Sequence, residues 1–211
     1  MRLSRLAIFP LPEVQLFPHS LLPLHVFEPR YRTLARDCLA GSRRFAIATL
    51  EPGYEDQYEG RPPVKSICGL GEIVAHHHRH DGRYDLLLHG TARLRILEEL
   101  NEAQPYRLVN AEVLDDLCDE EENLVSARDA LIVLCDRLAT VLPSGGETLR
   151  SLARQESDPS ATADLVAAAV VTDPVARQEL IEMLDVATRI ERVSTRVLET
   201  LAELRPPAPS N

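Results

Sequence analysis

The chain has 211 residues, 45 % of them hydrophobic, and carries a formal charge of −10. That is enough apolar content for a real core and too much for a disordered tail. The acidity sits in the second half: residues 1–110 hold 14 basic and 13 acidic side chains, residues 111–211 hold 9 and 20. An acidic balance repels phosphate backbones, so nucleic acid is an unfavoured partner. No run of 18 apolar residues and no leader-like N-terminus is present, which predicts a soluble, cytoplasmic chain with no membrane association.

In chain order, prolines at 10, 12, 18, 23 and 29 break up the opening segment. Val14–Leu16 and Leu22–Phe27 are therefore expected as short extended pieces at sheet edges or bends. Pro29 stands at a first helical position, Tyr31, Leu34, Ala35, Cys38 and Leu39 recur at helical spacing, and Gly41 closes the run, predicting an amphipathic helix over 29–40. Phe45–Leu50 reads as a buried strand and 51–63 as a long loop. Strands follow at Gly71–His80, Arg83–His89, Ala92–Glu98 and Tyr106–Leu114. Asp81-Gly82 signals a two-residue hairpin turn, which would pair position i with 163 − i.

From about residue 119 the periodicity becomes helical. Leu124, Ala127, Leu131, Leu134, Leu138 and Val141 predict a helix over 120–142. Shorter helices are expected near 147–156 and 159–172. A last helix opens at Asp173-Pro174, with a seam of Leu180, Met183, Ala187, Ile190, Ser194, Val197, Leu201 and Leu204. That seam suits packing against helix 120–142, and it also offers an oligomer contact through the C-terminal helix. The domain reading is a β lobe over 1–116, a helical lobe over 117–205 and a disordered tail over 206–211.

Several chemistries fail on residue grounds. Gly60-Arg-Pro-Pro-Val-Lys-Ser66 outlines a phosphate loop, but Val64 stands where glycine is needed and Pro62 and Pro63 remove two N–H donors. Nucleophile-elbow, zincin and zinc-deaminase motifs are absent. Lys65 is the single lysine, in a proline-rich loop with no catalytic framing. The cysteines 38, 68, 118 and 135 form no C-x-x-C pair, as expected of reduced thiols. No catalytic residue and no cofactor is expected.

The stretch 76–80 reads HHHRH. With the register above, His76, His78 and His80 share a face with Asp85 and His89, a chemically adequate ligand set for zinc or nickel. We therefore retain His76, His78 and Asp85 as metal candidates, against the plainer reading of a solvated polar face with a cross-strand His78–Asp85 pair.

Ile8-Phe-Pro-Leu-Pro12, Leu16-Phe-Pro18 and Leu22-Pro-Leu-His-Val-Phe-Glu-Pro-Arg-Tyr31 together resemble the amino-terminal domain of the ATP-dependent Lon protease, above all its standalone bacterial form. Gly69-Leu-Gly-Glu-Ile-Val74, His89-Gly-Thr-Ala-Arg-Leu-Arg-Ile96, Ala163–Val166 and Glu182–Ile190 extend the resemblance to about 6–205. It implies an α+β architecture: a PUA-like, mostly antiparallel β-barrel lobe with one helix, followed by an α-helical bundle lobe. It further implies a non-catalytic module that binds peptide or unfolded-protein segments, or an adaptor to a protease or chaperone, because no ATPase or Ser–Lys protease module is expected in this chain. The alternatives are RNA binding, which a PUA-like fold permits, and a metal-dependent enzyme using the His-rich hairpin.

Overall fold

The computed structural model describes residues 1–55, 60–118 and 121–204. The chain divides into two compact units, Met1–Asp115 and Asp116–Asn211. The expected tail over 206–211 lies outside the described residues.

The first unit contains β1 (Arg2–Leu11), β2 (Leu21–Val26), α1 (Pro29–Ala40), β3 (Arg44–Thr49), β4 (Ile67–His78), β5 (Tyr84–Leu100) and β6 (Arg107–Leu114). The sheet order is β2-β5-β4-β3-β1-β6, and a further β5–β6 pairing closes five strands into a barrel with β2 left outside on β5. Among the described strands β1 and β3 run parallel, and the other pairings of this sheet are antiparallel. The α+β expectation stands.

Strands β1 and β3 are buried on both faces. Leu6 and Ile8 share one cluster with Ala46, Ala48, Cys68, Leu70, Leu94, Val109 and Ala111. Ala7, Phe9, Phe45 and Ile47 face a second cluster with Tyr31, Leu34, Ala35 and Cys38 of α1. Phe9 stacks on Tyr31 with centroids 4.0 Å apart. Helix α1 has the predicted bounds, opened by Pro29 and stopped at Gly41.

Val14–Leu16 forms no strand. Residues 15–20 instead cross the barrel as a strap, with Leu16 and Phe17 fully buried. The strap lies directly on glycine backbone: a Cβ at Gly69 would stand 1.9 Å from the Leu16 carbonyl oxygen, and one at Gly90 2.0 Å from that of Phe17. Gly90 N–H donates to Ser20 O at 2.9 Å, and His19 N–H donates to Gly90 O at 2.8 Å. Gly90 is therefore a point of close backbone approach and not a break between strands, which is why the two strands expected at 83–89 and 92–98 are one 17-residue β5.

The 163 − i register is corrected as well. The observed pairs are His76↔Leu86, His77↔Asp85 and His78↔Tyr84. Arg79 N–H donates to Arg83 O and Gly82 N–H donates to Arg79 O, so the loop is the three residues His80, Asp81 and Gly82. Only Gly82 takes a positive φ there (79°), the geometry of a β-turn followed by a left-handed glycine. A bulge between Ile73 and Ala75 shifts the ladder again.

The second unit contains α2 (Glu121–Val141), α3 (Gly146–Ala153), α4 (Pro159–Val170), α5 (Pro174–Glu182) and α6 (Val186–Glu203). The single last helix expected from Asp173 onward is two helices. Asp185 breaks it by accepting from Thr188 N–H at 2.7 Å as the N-cap of α6. Leu117 holds the break open: its N–H donates to Leu184 O, and its carbonyl accepts from Val186 N–H. Helix α6 packs on α2 and α4, and Val186, Ile190, Val193, Val197 and Leu201 form its buried stripe. Val193 replaces Ser194 of the expected seam.

At the centre of this unit Arg189 is fully buried. Its Nη1 and Nη2 donate to Asp116 at 3.0 and 2.8 Å, Nη1 donates to Met183 O, and Nε lies 3.2 Å from Asp164 as an ion pair without hydrogen-bond alignment. Asp164 is buried as deeply as Arg189, and Ser160 joins by accepting from Nη2.

Two outcomes follow for stability. Gly90→Ala forces the strap off the barrel and is expected to cost about 1–3 kcal/mol in urea unfolding, the range for overpacking. Arg189→Ala leaves Asp164 buried without its cation and is expected to cost about 3–5 kcal/mol, whereas Glu203→Ala at an exposed site leaves the urea midpoint unchanged.

Candidate functional site

β2, the first part of β5 and the end of β4 form a three-stranded arm. Its inner face carries Leu22, Leu24, Val26, Leu86, Leu88 and Ile73 into the α1 cluster. Pairing places the outer face in cross-strand rows: Leu21, His89 and Glu72; Pro23, Leu87 and Ala75; His25, Asp85 and His77. Leu21 and Phe27 are 59 % and 57 % exposed, and Val74 at the bulge is 51 % exposed. The face is mixed, with Leu21, Pro23, Leu87 and Ala75 beside Glu72, His25, His77, Asp85 and His89.

β2 also has a free edge. The Gly90 N–H to Ser20 O bond sets the even-numbered residues of β2 against β5. Pro23, which lacks an N–H, falls on the outward parity, where its missing donor breaks no ladder bond. The N–H and C=O of Leu21 and His25 and the C=O of Pro23 therefore face away from β5, and among the described residues no strand pairs with them.

All seven histidines of the chain (19, 25, 76, 77, 78, 80 and 89) lie on this arm or its flanks. The structure does not bring His76, His78 and Asp85 together. His76 and His78 pair with Leu86 and Tyr84, and the His78 ring stacks on Tyr84 at 4.5 Å. Asp85 faces the other way, beside His77, and holds His25 Nδ1 at 2.7 Å while accepting from Arg79 Nε at 2.7 Å. His80 is in the loop, and His89 pairs with Leu21 and Glu72. Among the described residues no three such side chains stand positioned around a common metal point. His25 was missed in the sequence because it lies 60 residues from Asp85; its signal was β2 itself, once β2 is laid on β5.

The bonds from His25 and Arg79 hold the Asp85 carboxyl below its ordinary value. Burial pushes the Cys38, Cys68 and Cys135 thiols up to about 12, while Cys118 is exposed. The barrel also bears two shallow depressions. One, about 680 Å³, lies beside Leu97, Glu98 and Asn110. The other, about 310 Å³, lies beside Asp37, Arg44 and Tyr106, whose hydroxyl donates to Asp37 at 3.0 Å.

The chain matches the family described as the ATP-dependent protease La (LON) substrate-binding domain over residues 5–198. The chain belongs to this family. It is 28 % identical over 199 residues to a Lon protease of Dictyoglomus thermophilum, covering 93 % of this chain and 25 % of that protein. Over 204 residues it is 25 % identical to the Lon protease of Desulfosudis oleivorans, covering 94 % and 24 %. It thus spans about a quarter of the length of these relatives. In fold it is similar to the N-terminal domain of a Mycobacterium avium complex Lon protease (TM-score 0.71, 18 % identity, 93 % of this chain and 99 % of that one). It is similar also to a Lon N-terminal domain protein from Xanthomonas campestris (TM-score 0.64, 22 % identity, 92 % and 98 %). Among the described residues no helix is long and apolar enough to cross a membrane.

Because the Asp85 carboxyl is held below its ordinary 3.8, the bonds from His25 and Arg79 favour the folded arm above that value and are lost as pH falls through the lower, folded value. Carbon-detected NMR titration is expected to place the Asp85 midpoint below 3.8 and to move it upward in Arg79→Ala. An unchanged midpoint in that variant contradicts the network.

Proposed function

We propose that the chain is a non-catalytic recognition module that binds extended segments of unfolded polypeptide along the arm of its first unit. The observation that carries this reading is the free edge of β2 beside the exposed Leu21, Pro23 and Phe27. Main-chain donors and acceptors on a strand edge pair with any extended backbone, so they supply affinity without demanding a sequence. Apolar side chains next to that edge select segments that a folded protein would have buried. Both properties suit a member of a substrate-binding domain family.

The barrel and strap make the arm rigid on one face, so binding adds a strand without reordering the core. In a cytoplasmic setting such a module would deliver captured segments to a protease or a chaperone, acting as an adaptor.

Fluorescence anisotropy with a labelled, extended apolar peptide tests the reading. Leu21→Asp and Phe27→Asp, both at exposed positions, are expected to weaken binding by about tenfold or more each with little change in thermal stability. Val175→Asp, an exposed apolar site in the second unit, is expected to leave binding unchanged. Equal effects from all three variants, or none from the first two, overturn the proposal.

A further inference from the structure

His25 stands exposed on the outer face of β2, and its backbone N–H and C=O lie on the free edge. Its imidazole is held from one side: Nδ1 lies 2.7 Å from Asp85 Oδ1, across the ladder on β5. Asp85 is a carboxylate at neutral pH and can only accept, so the proton between the two atoms belongs to Nδ1. Arg79 Nε donates to Asp85 Oδ2 at 2.7 Å, which fixes the carboxylate and leaves Oδ1 to His25. A neutral imidazole with its proton on Nδ1 carries a bare lone pair on Nε2. The two nitrogens point to nearly opposite sides of the ring. Nε2 therefore looks away from β5, toward the side of β2 that no described strand covers.

We propose that His25 is a specificity-determining residue of the arm, selecting extended segments that place a hydroxyl or amide hydrogen-bond donor opposite it. The preference rests on the reading of β2 as a peptide-pairing edge. A segment paired there sets one side chain beside His25 on the outer face, with Cβ atoms about 5 Å apart, within reach of a serine or threonine hydroxyl to Nε2. An apolar side chain at that place covers the lone pair and leaves it without a partner, which costs binding energy.

The rest of the row asks for the opposite chemistry. The Leu21 and Pro23 side chains offer no polar atom, and Phe27 lies along the His25 ring with centroids 6.2 Å apart. The favoured segment thus carries an apolar side chain opposite Leu21 and a donor four residues along the same face, opposite His25. No other histidine of the arm is placed to do this. His76, His77 and His78 lie on β4, separated from the free edge by β5 and β2, and the His78 ring is stacked on Tyr84.

Two measurements test the preference. Long-range proton–nitrogen NMR of the free protein at about pH 8.5, above the range in which imidazole changes charge, is expected to find the His25 proton on Nδ1 and to lose that fixed tautomer in Asp85→Ala. Fluorescence anisotropy then compares a labelled apolar peptide with a set in which one valine at a time is replaced by threonine, which has nearly the same shape. At one position threonine is expected to bind about three- to tenfold tighter, the worth of one hydrogen bond. That ratio falls to about one in His25→Ala and is kept in His76→Ala. Failure of every peptide to bind overturns the peptide reading of the edge and this preference with it. Binding without a threonine advantage, an advantage that survives His25→Ala, or a proton found on Nε2 overturns the preference alone.

Discussion

The first unit depends on one close approach, the Leu16–Phe17 strap lying on the bare backbone of Gly69 and Gly90. No side chain larger than hydrogen fits beneath those carbonyls. The strap fills the space above the ladder with Leu16 and Phe17, both fully buried, and its exit through His19 and Ser20 hydrogen-bonds to Gly90. That exit delivers the chain onto β5 as β2, after the five-strand barrel is already closed without it. The free edge of β2 is thus a consequence of barrel topology. A closed barrel has no edge of its own to offer, so the strap and the extra strand create an open edge on β2 where an extended backbone can join the sheet.

The second unit is organised by a different kind of constraint. Arg189, Asp116 and Asp164 place charges where burial is expensive, and the arrangement holds because the guanidinium satisfies two carboxylates, a hydroxyl and a carbonyl at once. Asp116 and Leu117 therefore belong to the helical core, through the bonds of Leu117 to Leu184 and Val186 and of Asp116 to Arg189. Helix starts in this unit are fixed by the caps Asp158, Asp173 and Asp185.

How much of this was legible in the sequence follows from which signals are local. Pro29 and Gly41 are adjacent to the helix they bound, and α1 was read to the residue. β2 was readable as an edge piece because Pro23 forbids a central strand. Gly90 misled, since a glycine in a strand looks like a break when Phe17, whose carbonyl needs its missing side chain, lies far away in the sequence. Asp81-Gly82 misled for a subtler reason: the same dipeptide ends a three-residue loop as readily as it forms a two-residue one, and the difference moves Asp85 from His78 to His77. The break before α6 carried a legible signal, Asp185 three residues before Thr188, but an apolar seam running through it concealed the cap. The His25–Asp85 contact had no local signal at all.

In the proposed recognition the outward backbone of β2 pairs with an extended segment. Site-resolved amide hydrogen exchange of the Leu21 and His25 N–H groups, with and without saturating apolar peptide, tests it most directly. Fast exchange is expected in the free protein and marked slowing at both amides when peptide is bound, with Leu22 and Leu24 little changed because they already face β5. Peptide binding that leaves the Leu21 and His25 amides exchanging freely contradicts it.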